Sequence, residues 1–139
     1  MGVDSALRAL AAQAAIGRLG TVTAGGLPHV VPVCFALTGD LVYSAVDHKP
    51  KSSQRLKRVD NIRLHPAAEL LIDHYEEDWS RLWWVRATGT AAVVTDPSER
   101  AAGVDLLVAK YEQYRAVRPA GILVRLTVTR WQAWRGAPS

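Results

Sequence analysis

Residues 82–95 constrain the fold more than any other stretch. Trp83, Val85, Ala87, Gly89, Ala91 and Val93 fall at one parity, and Trp84, Arg86, Thr88, Thr90 and Ala92 at the other. Successive side chains of a strand point to opposite faces, so this alternation predicts a long β-strand. Shorter runs of the same kind surround it. Residues 18–23 alternate, 24–27 carry the Gly25-Gly26 turn, and 28–37 return as an apolar run. Thr38-Gly39-Asp40 turns the chain again into residues 41–46. Residues 68–75 and 121–134 complete the set, with 76–81 as an acidic turn. Strands joined by tight turns predict an antiparallel meander, and a meander avoids open edges by closing into a barrel.

Three segments read as helices. The first covers residues 4–16, capped by Asp4 or Ser5, with Leu7, Leu10, Ala11 and Ala14 as its stripe and Gly17 closing it. The second follows residues 41–46 and runs to about Arg63, with Leu56, Val59 and Ile62 or Arg63 facing the protein. The third opens on Asp96-Pro97-Ser98-Glu99 and runs to about Arg115. The expectation is a mainly β fold of about six strands with peripheral helices, as a single domain over 1–139 with the barrel at 17–135.

In residues 28–37, Val30, Val31, Val33, Phe35 and Leu37 predict a strand covered on both faces. Pro32 lacks an N–H, so one ladder bond is missing there. A flat ligand, a bulge or an edge position would each account for it.

Charge concentrates in residues 47–58, Asp-His-Lys-Pro-Lys-Ser-Ser-Gln-Arg-Leu-Lys-Arg. This run lies between a strand and a helix, where free N–H groups and the positive dipole end favour an anion. Lys51, Arg55 and Arg58 recur at spacings of four and three and so share a helix face. A solvated basic face is the alternative. The net charge of +4 favours anionic partners, and its confinement argues for a local site over a nucleic-acid footprint.

Cys34 is the only cysteine, which excludes an internal disulfide and suits a reducing, cytoplasmic setting; it reads as a small buried residue. No apolar run approaches the ~20 residues of a membrane span. His29, His48, His65 and His74 lack metal-ligand spacing, so no metal is expected. No nucleophile elbow, dinucleotide fingerprint or phosphate loop occurs, which fits chemistry carried by a cofactor.

The order of short motifs resembles the pyridoxamine 5'-phosphate oxidase-like split β-barrel family over roughly residues 5–135. The motifs are Arg18-Leu19-Gly20-Thr21-Val22, Gly25-Gly26-Leu27-Pro28, Val31-Pro32-Val33 and Tyr43-Ser44, followed by Asn61-Ile62-Arg63-Leu64-His65-Pro66, Leu70-Leu71-Ile72-Asp73 and Gly89-Thr90-Ala91. Residues 47–51 and 73–86 look like an actinobacterial branch assigned to the deazaflavin coenzyme F420. The resemblance implies a homodimer with cofactor sites at the interface. It places the flavin-like ring near Val31, Pro32 and Val33, and the phosphate on the basic run. Arg58 falls nearest the family's phosphate-binding cation. Because the span from Lys49 to Pro66 is about a turn longer than in shorter relatives, Lys49, Lys51, Arg55 and Lys57 stay candidates, with Ser52 among them.

Trp79, Trp83 and Trp84 are either packing residues or an aromatic wall for the ring. Trp83 and Trp84 must point to opposite faces of one strand. His74, beside Asp73, is a candidate proton donor or a structural hydrogen-bonding group. The implied reaction is hydride transfer from the deazaflavin to a small conjugated or quinone-like acceptor. FMN as an oxidase or flavin-reductase cofactor is the alternative, and a non-enzymatic flavin-binding or storage protein is a third. Lys49, Lys57, Arg63 and Arg81 could hold the deazaflavin's acidic tail, which favours the first.

Overall fold

The computed structural model describes residues 3–46 and 53–137. Seven strands form one antiparallel sheet: β1 (Gly17–Val22), β2 (Pro28–Val33), β3 (Ala36–Thr38), β4 (Leu41–Ala45), β5 (Ala67–His74), β6 (Trp83–Val93) and β7 (Leu123–Arg135). Their order across the sheet is β2-β1-β5-β6-β7-β4-β3. The two edge strands, β2 and β3, are neighbours in sequence, with only Cys34 and Phe35 between them. Such a link spans roughly 10 Å. The sheet must therefore curl until its two edges meet, and this is what makes it a split barrel.

The barrel interior takes the predicted apolar positions. Leu19, Val42, Leu70, Ile72, Val85, Ala87, Ala91, Val124, Leu126 and Val128 are buried together. Helix α1 (Ser5–Gln13) adds Leu7 and Ala11, and α2 (Ser53–Leu64) adds Val59 and Ile62. A second cluster lies around α3 (Pro97–Lys110), where Val104 and Leu107 meet Ala36, Tyr43, Val94 and Leu123. Asp96 caps α3 at the Glu99 N–H (2.8 Å), with Pro97 in the first turn, as the sequence predicts. Glu99 also accepts from Tyr43 at 2.8 Å and from Arg125, so α3 is fastened to β4 and β7. Those two donors hold the Glu99 carboxyl below its usual range.

The long alternation is β6, and it pairs along its whole length with β7. One residue breaks the register. Thr88 faces Arg130 and Gly89 faces Val128, leaving Thr129 as a bulge. Below the bulge the even residues Val124, Leu126 and Val128 point inward; beyond it Trp131 and Ala133 pack against the same core. A Cβ on Gly89 would lie 1.9 Å from the Thr127 carbonyl oxygen, so only glycine fits.

Several expectations are corrected. Gly17 does not close α1; the helix ends at Ala14, and Gly17 opens β1, where a side chain would meet Leu70. Residues 28–37 are two strands, not one. β2 is an edge strand, not one covered on both faces, with Val30 63% exposed. Pro28 and Pro32 both sit exposed on it, so the edge position accounts for Pro32. The third helix breaks at Tyr111, and α4 (Glu112–Ala116) follows. Of the two inward candidates near the end of α2, Ile62 is buried and Arg63 exposed.

Candidate functional site

The barrel closes at Phe35, and there the ladder cannot supply hydrogen bonds. Phe35 is fully buried, so its backbone groups need other partners. The Tyr111 hydroxyl accepts from the Phe35 N–H at 2.9 Å and lies 3.0 Å from the Phe35 carbonyl and 2.9 Å from that of Ala15. Its single proton serves one carbonyl at a time. The Lys110 ammonium donates to the Phe35 carbonyl at 2.9 Å and sits 3.7 Å from the centre of the Phe35 ring. The Ser44 hydroxyl donates to the Cys34 carbonyl at 2.8 Å. Three side chains thus replace backbone pairing at the seam.

Their environment shifts two protonation equilibria. Burial lowers the Lys110 pKa to about 8. Burial also pushes the Tyr111 hydroxyl up to about 12. An amine near 8 stays mostly charged at neutral pH but can lose its proton close to it.

Beside the seam runs an open groove of about 840 Å3. Its lining includes Cys34 and Val46 together with Tyr111, Tyr114, Ala116, Val117, Pro119 and Ala120. Glu112, Gln113 and Arg118 are its polar members, and Arg118 is paired with Asp105. Tyr111 and Tyr114 meet edge to face with centroids 5.6 Å apart. Cys34 is only half-buried and faces this groove, rather than being a core residue.

None of the predicted site residues among the described residues lines the groove, but two segments carrying such residues end at it. Cys34 directly follows Val33, and Val46 directly precedes the basic run. Alternation divides the predicted ring site: Val33 is buried and Val31 half-buried against the core, while Pro32 faces out. Lys49, Lys51 and Ser52 lie outside the described residues. Arg55 lies in α2, and its side chain is also outside them. Lys57 is exposed on α2, and Arg58 is half-buried.

Trp83 and Trp84 do point to opposite faces. Trp83 packs on the core rim and stacks on His74, with centroids 5.9 Å apart. Trp84 lies on the outer face, opposite Trp134 and under the Arg86 guanidinium. Trp79 is 67% exposed in a single 3-10 turn, Trp79–Arg81. His74 bonds Glu76 at 2.5 Å, not Asp73, which pairs with Arg18 at 2.9 Å. Glu76 also binds Arg81 at 3.1 Å, so the acidic turn is partly neutralised and Arg81 is already engaged. Among the described residues no His, Cys, Asp and Glu side chains converge as a metal site. None of the described helices is long and apolar enough to cross a membrane.

Sequence reasoning missed Ser44, Lys110 and Tyr111 as a group. The only local signal was a lysine and a tyrosine together where an amphipathic helix ends.

The family model described as pyridoxamine 5'-phosphate oxidase matches residues 3–135. No curated protein matches the sequence. Among solved structures, a conserved hypothetical protein from Mycobacterium tuberculosis is 19% identical with a TM-score of 0.75, over 97% of this chain and 86% of that one. A heme binding protein from Mycobacterium smegmatis is also 19% identical with a TM-score of 0.75, over 100% of this chain and 57% of its own. An FAD binding protein from the same organism is 18% identical with a TM-score of 0.65, over 97% and 96%.

Proposed function

The chain belongs to the pyridoxamine 5'-phosphate oxidase family, and on that premise we propose that it is an oxidoreductase built around a flavin-type cofactor, the deazaflavin coenzyme F420. The observation that carries this is the convergence at the seam. The end of β2, the end of β4 that leads into the basic run, and an 840 Å3 groove meet at one place. That volume lies in the usual range for small-molecule sites.

The residues present fit such a group. Lys57 and Arg58 in α2, with Lys51 and Arg55 before them, offer cations for a phosphate. The exposed edge of β2 leaves a flat surface at Val30 and Pro32 for a ring. When bound in its reduced form, the deazaflavin supplies a hydride. The chain's part is to bind the phosphate, orient the ring and keep water from the reacting faces. The chemistry needs no nucleophilic side chain. His74, held by Glu76 and Trp83, acts as a positioned structural group in this reading. FMN is the second reading, favoured by the FAD-binding relative of matching length. A second copy of the chain would cover the outer sheet face, where Trp134 is 46% exposed beside Trp84.

Titration with coenzyme F420 and with FMN, read by ring fluorescence, tests the proposal. F420 should bind more tightly, and Arg58→Gln should weaken it by about 10- to 100-fold, the equivalent of roughly 1.5–3 kcal/mol. Binding of FMN alone would transfer the proposal to the flavin. Sedimentation of the same samples reports the dimer.

A further inference from the structure

The inner face of the β1–β2 hairpin holds a polar group that neither the core nor the seam uses. His29 and Thr21 are cross-strand partners, so their side chains share a face. On that face Thr21 is buried, and Val31, two residues from His29, packs against the core. Thr21 is tied to α2, whose buried Asn61 donates to its hydroxyl at 3.2 Å. Arg58 precedes Asn61 by three residues and is half-buried, so it sits one turn away on the same side of α2. His29 thus lies beside the edge of α2 that carries Asn61 and Arg58. Its Nδ1 is buried and meets no hydrogen-bond partner among the described residues. A buried donor without an acceptor is costly, and a ligand that supplies the acceptor recovers that cost.

We propose that His29 is a ligand-binding residue, its Nδ1 donating to an oxygen of the cofactor phosphate that Arg58 neutralises. The assignment rests on the cofactor reading above. The two groups do different things. The guanidinium supplies a fixed charge, and the imidazole supplies one directed hydrogen bond from the neighbouring strand. The bond between Asn61 and Thr21 fixes the helix against the hairpin, and with it the spacing of the two donors. His29 therefore distinguishes a phosphorylated cofactor from its phosphate-free core and adds nothing to the hold on the ring.

Two substitutions separate a ligand contact from a packing role. His29→Leu keeps the bulk and removes the nitrogen, whereas His29→Asn keeps an N–H close to the Nδ1 position. The probes are F420 with its phosphate-free deazaflavin core, and FMN with riboflavin, titrated by ring fluorescence. The Leu variant should bind the phosphorylated form about fivefold or more weakly, with the phosphate-free core within about twofold of wild type. The Asn variant should recover most of the loss. Without cofactor, the Leu variant should unfold in urea no earlier than wild type, since it loses a buried unpaired nitrogen. Imidazole nitrogen NMR should show the His29 Nδ1 resonance move with the phosphorylated form and not with the core. Unchanged affinity, an equal loss for both forms, an unmoved resonance, or earlier unfolding of the Leu variant overturns the role of His29. Wild-type protein that binds neither F420 nor FMN instead overturns the cofactor reading, and the His29 assignment with it.

Discussion

The β5–β6–β7 region and the seam at Phe35 hold the same barrel by different means. In the first, backbone pairs with backbone over the full eleven residues of β6. At the second, the hydroxyls of Ser44 and Tyr111 and the ammonium of Lys110 satisfy what the sheet leaves open. Backbone pairing repeats with a period of two and depends little on which side chain is present. The seam depends on single atoms, two of them brought from positions 75 and 76 residues away. Substitutions in the ladder should therefore act through steric fit, and those in the seam through lost hydrogen bonds and titration.

The largest effect belongs to the ladder. Gly89→Ala drives a Cβ into the Thr127 carbonyl, and neither backbone can move without breaking the bulge. We expect a loss of at least about 3 kcal/mol in urea unfolding. A near-neutral result would mean the ladder yields more easily than the seam.

Next comes Tyr111→Phe. It strands the buried Phe35 N–H while keeping the ring, for a cost of about 2 kcal/mol by the same measurement. The Phe35 carbonyl keeps its bond from Lys110. An unchanged midpoint would show that the seam closes without this hydroxyl.

The smallest effect is a pH dependence that the ladder cannot produce. Unfolded lysine titrates near 10.5 and burial brings Lys110 down to about 8. Between these values the unfolded chain binds more protons, so stability rises with pH across that window. Tyr111 acts in the opposite sense higher up. Its pKa is raised from 10.0 to about 12, so its contribution is complete below pH 10.0 and lost as pH climbs through about 12. Stability from this pair should peak near pH 10. Solvent screening at a half-exposed ammonium limits the lysine's part to on the order of 1 kcal/mol. Lys110→Met should flatten the rise above pH 8 in thermal scans; a persistent rise would assign it to another group.

The same contrast explains what could be read in advance. Residues 82–95 predict β6 because alternation is a local signal, and Asp96-Pro97 marks the start of α3 for the same reason. The antiparallel barrel follows from such local pieces. Residues 28–37 do not declare their break at Cys34-Phe35, because an apolar run looks alike in one strand or two. Whether β2 is central or at an edge depends on which strands pair with it, a long-range matter that Pro32 only hints at. The basic run predicts where charge collects. The groove lining comes from residues 34, 46, 111–114 and 116–121, whose meeting depends on the curl of the whole sheet.

The two edges have one more consequence. β2 carries Pro28 and Pro32, which offer no donor to an incoming strand, and β3 is three residues long. Neither edge is a good template for a stranger's chain. Both features work against edge-to-edge growth of a sheet rich in valine and tryptophan.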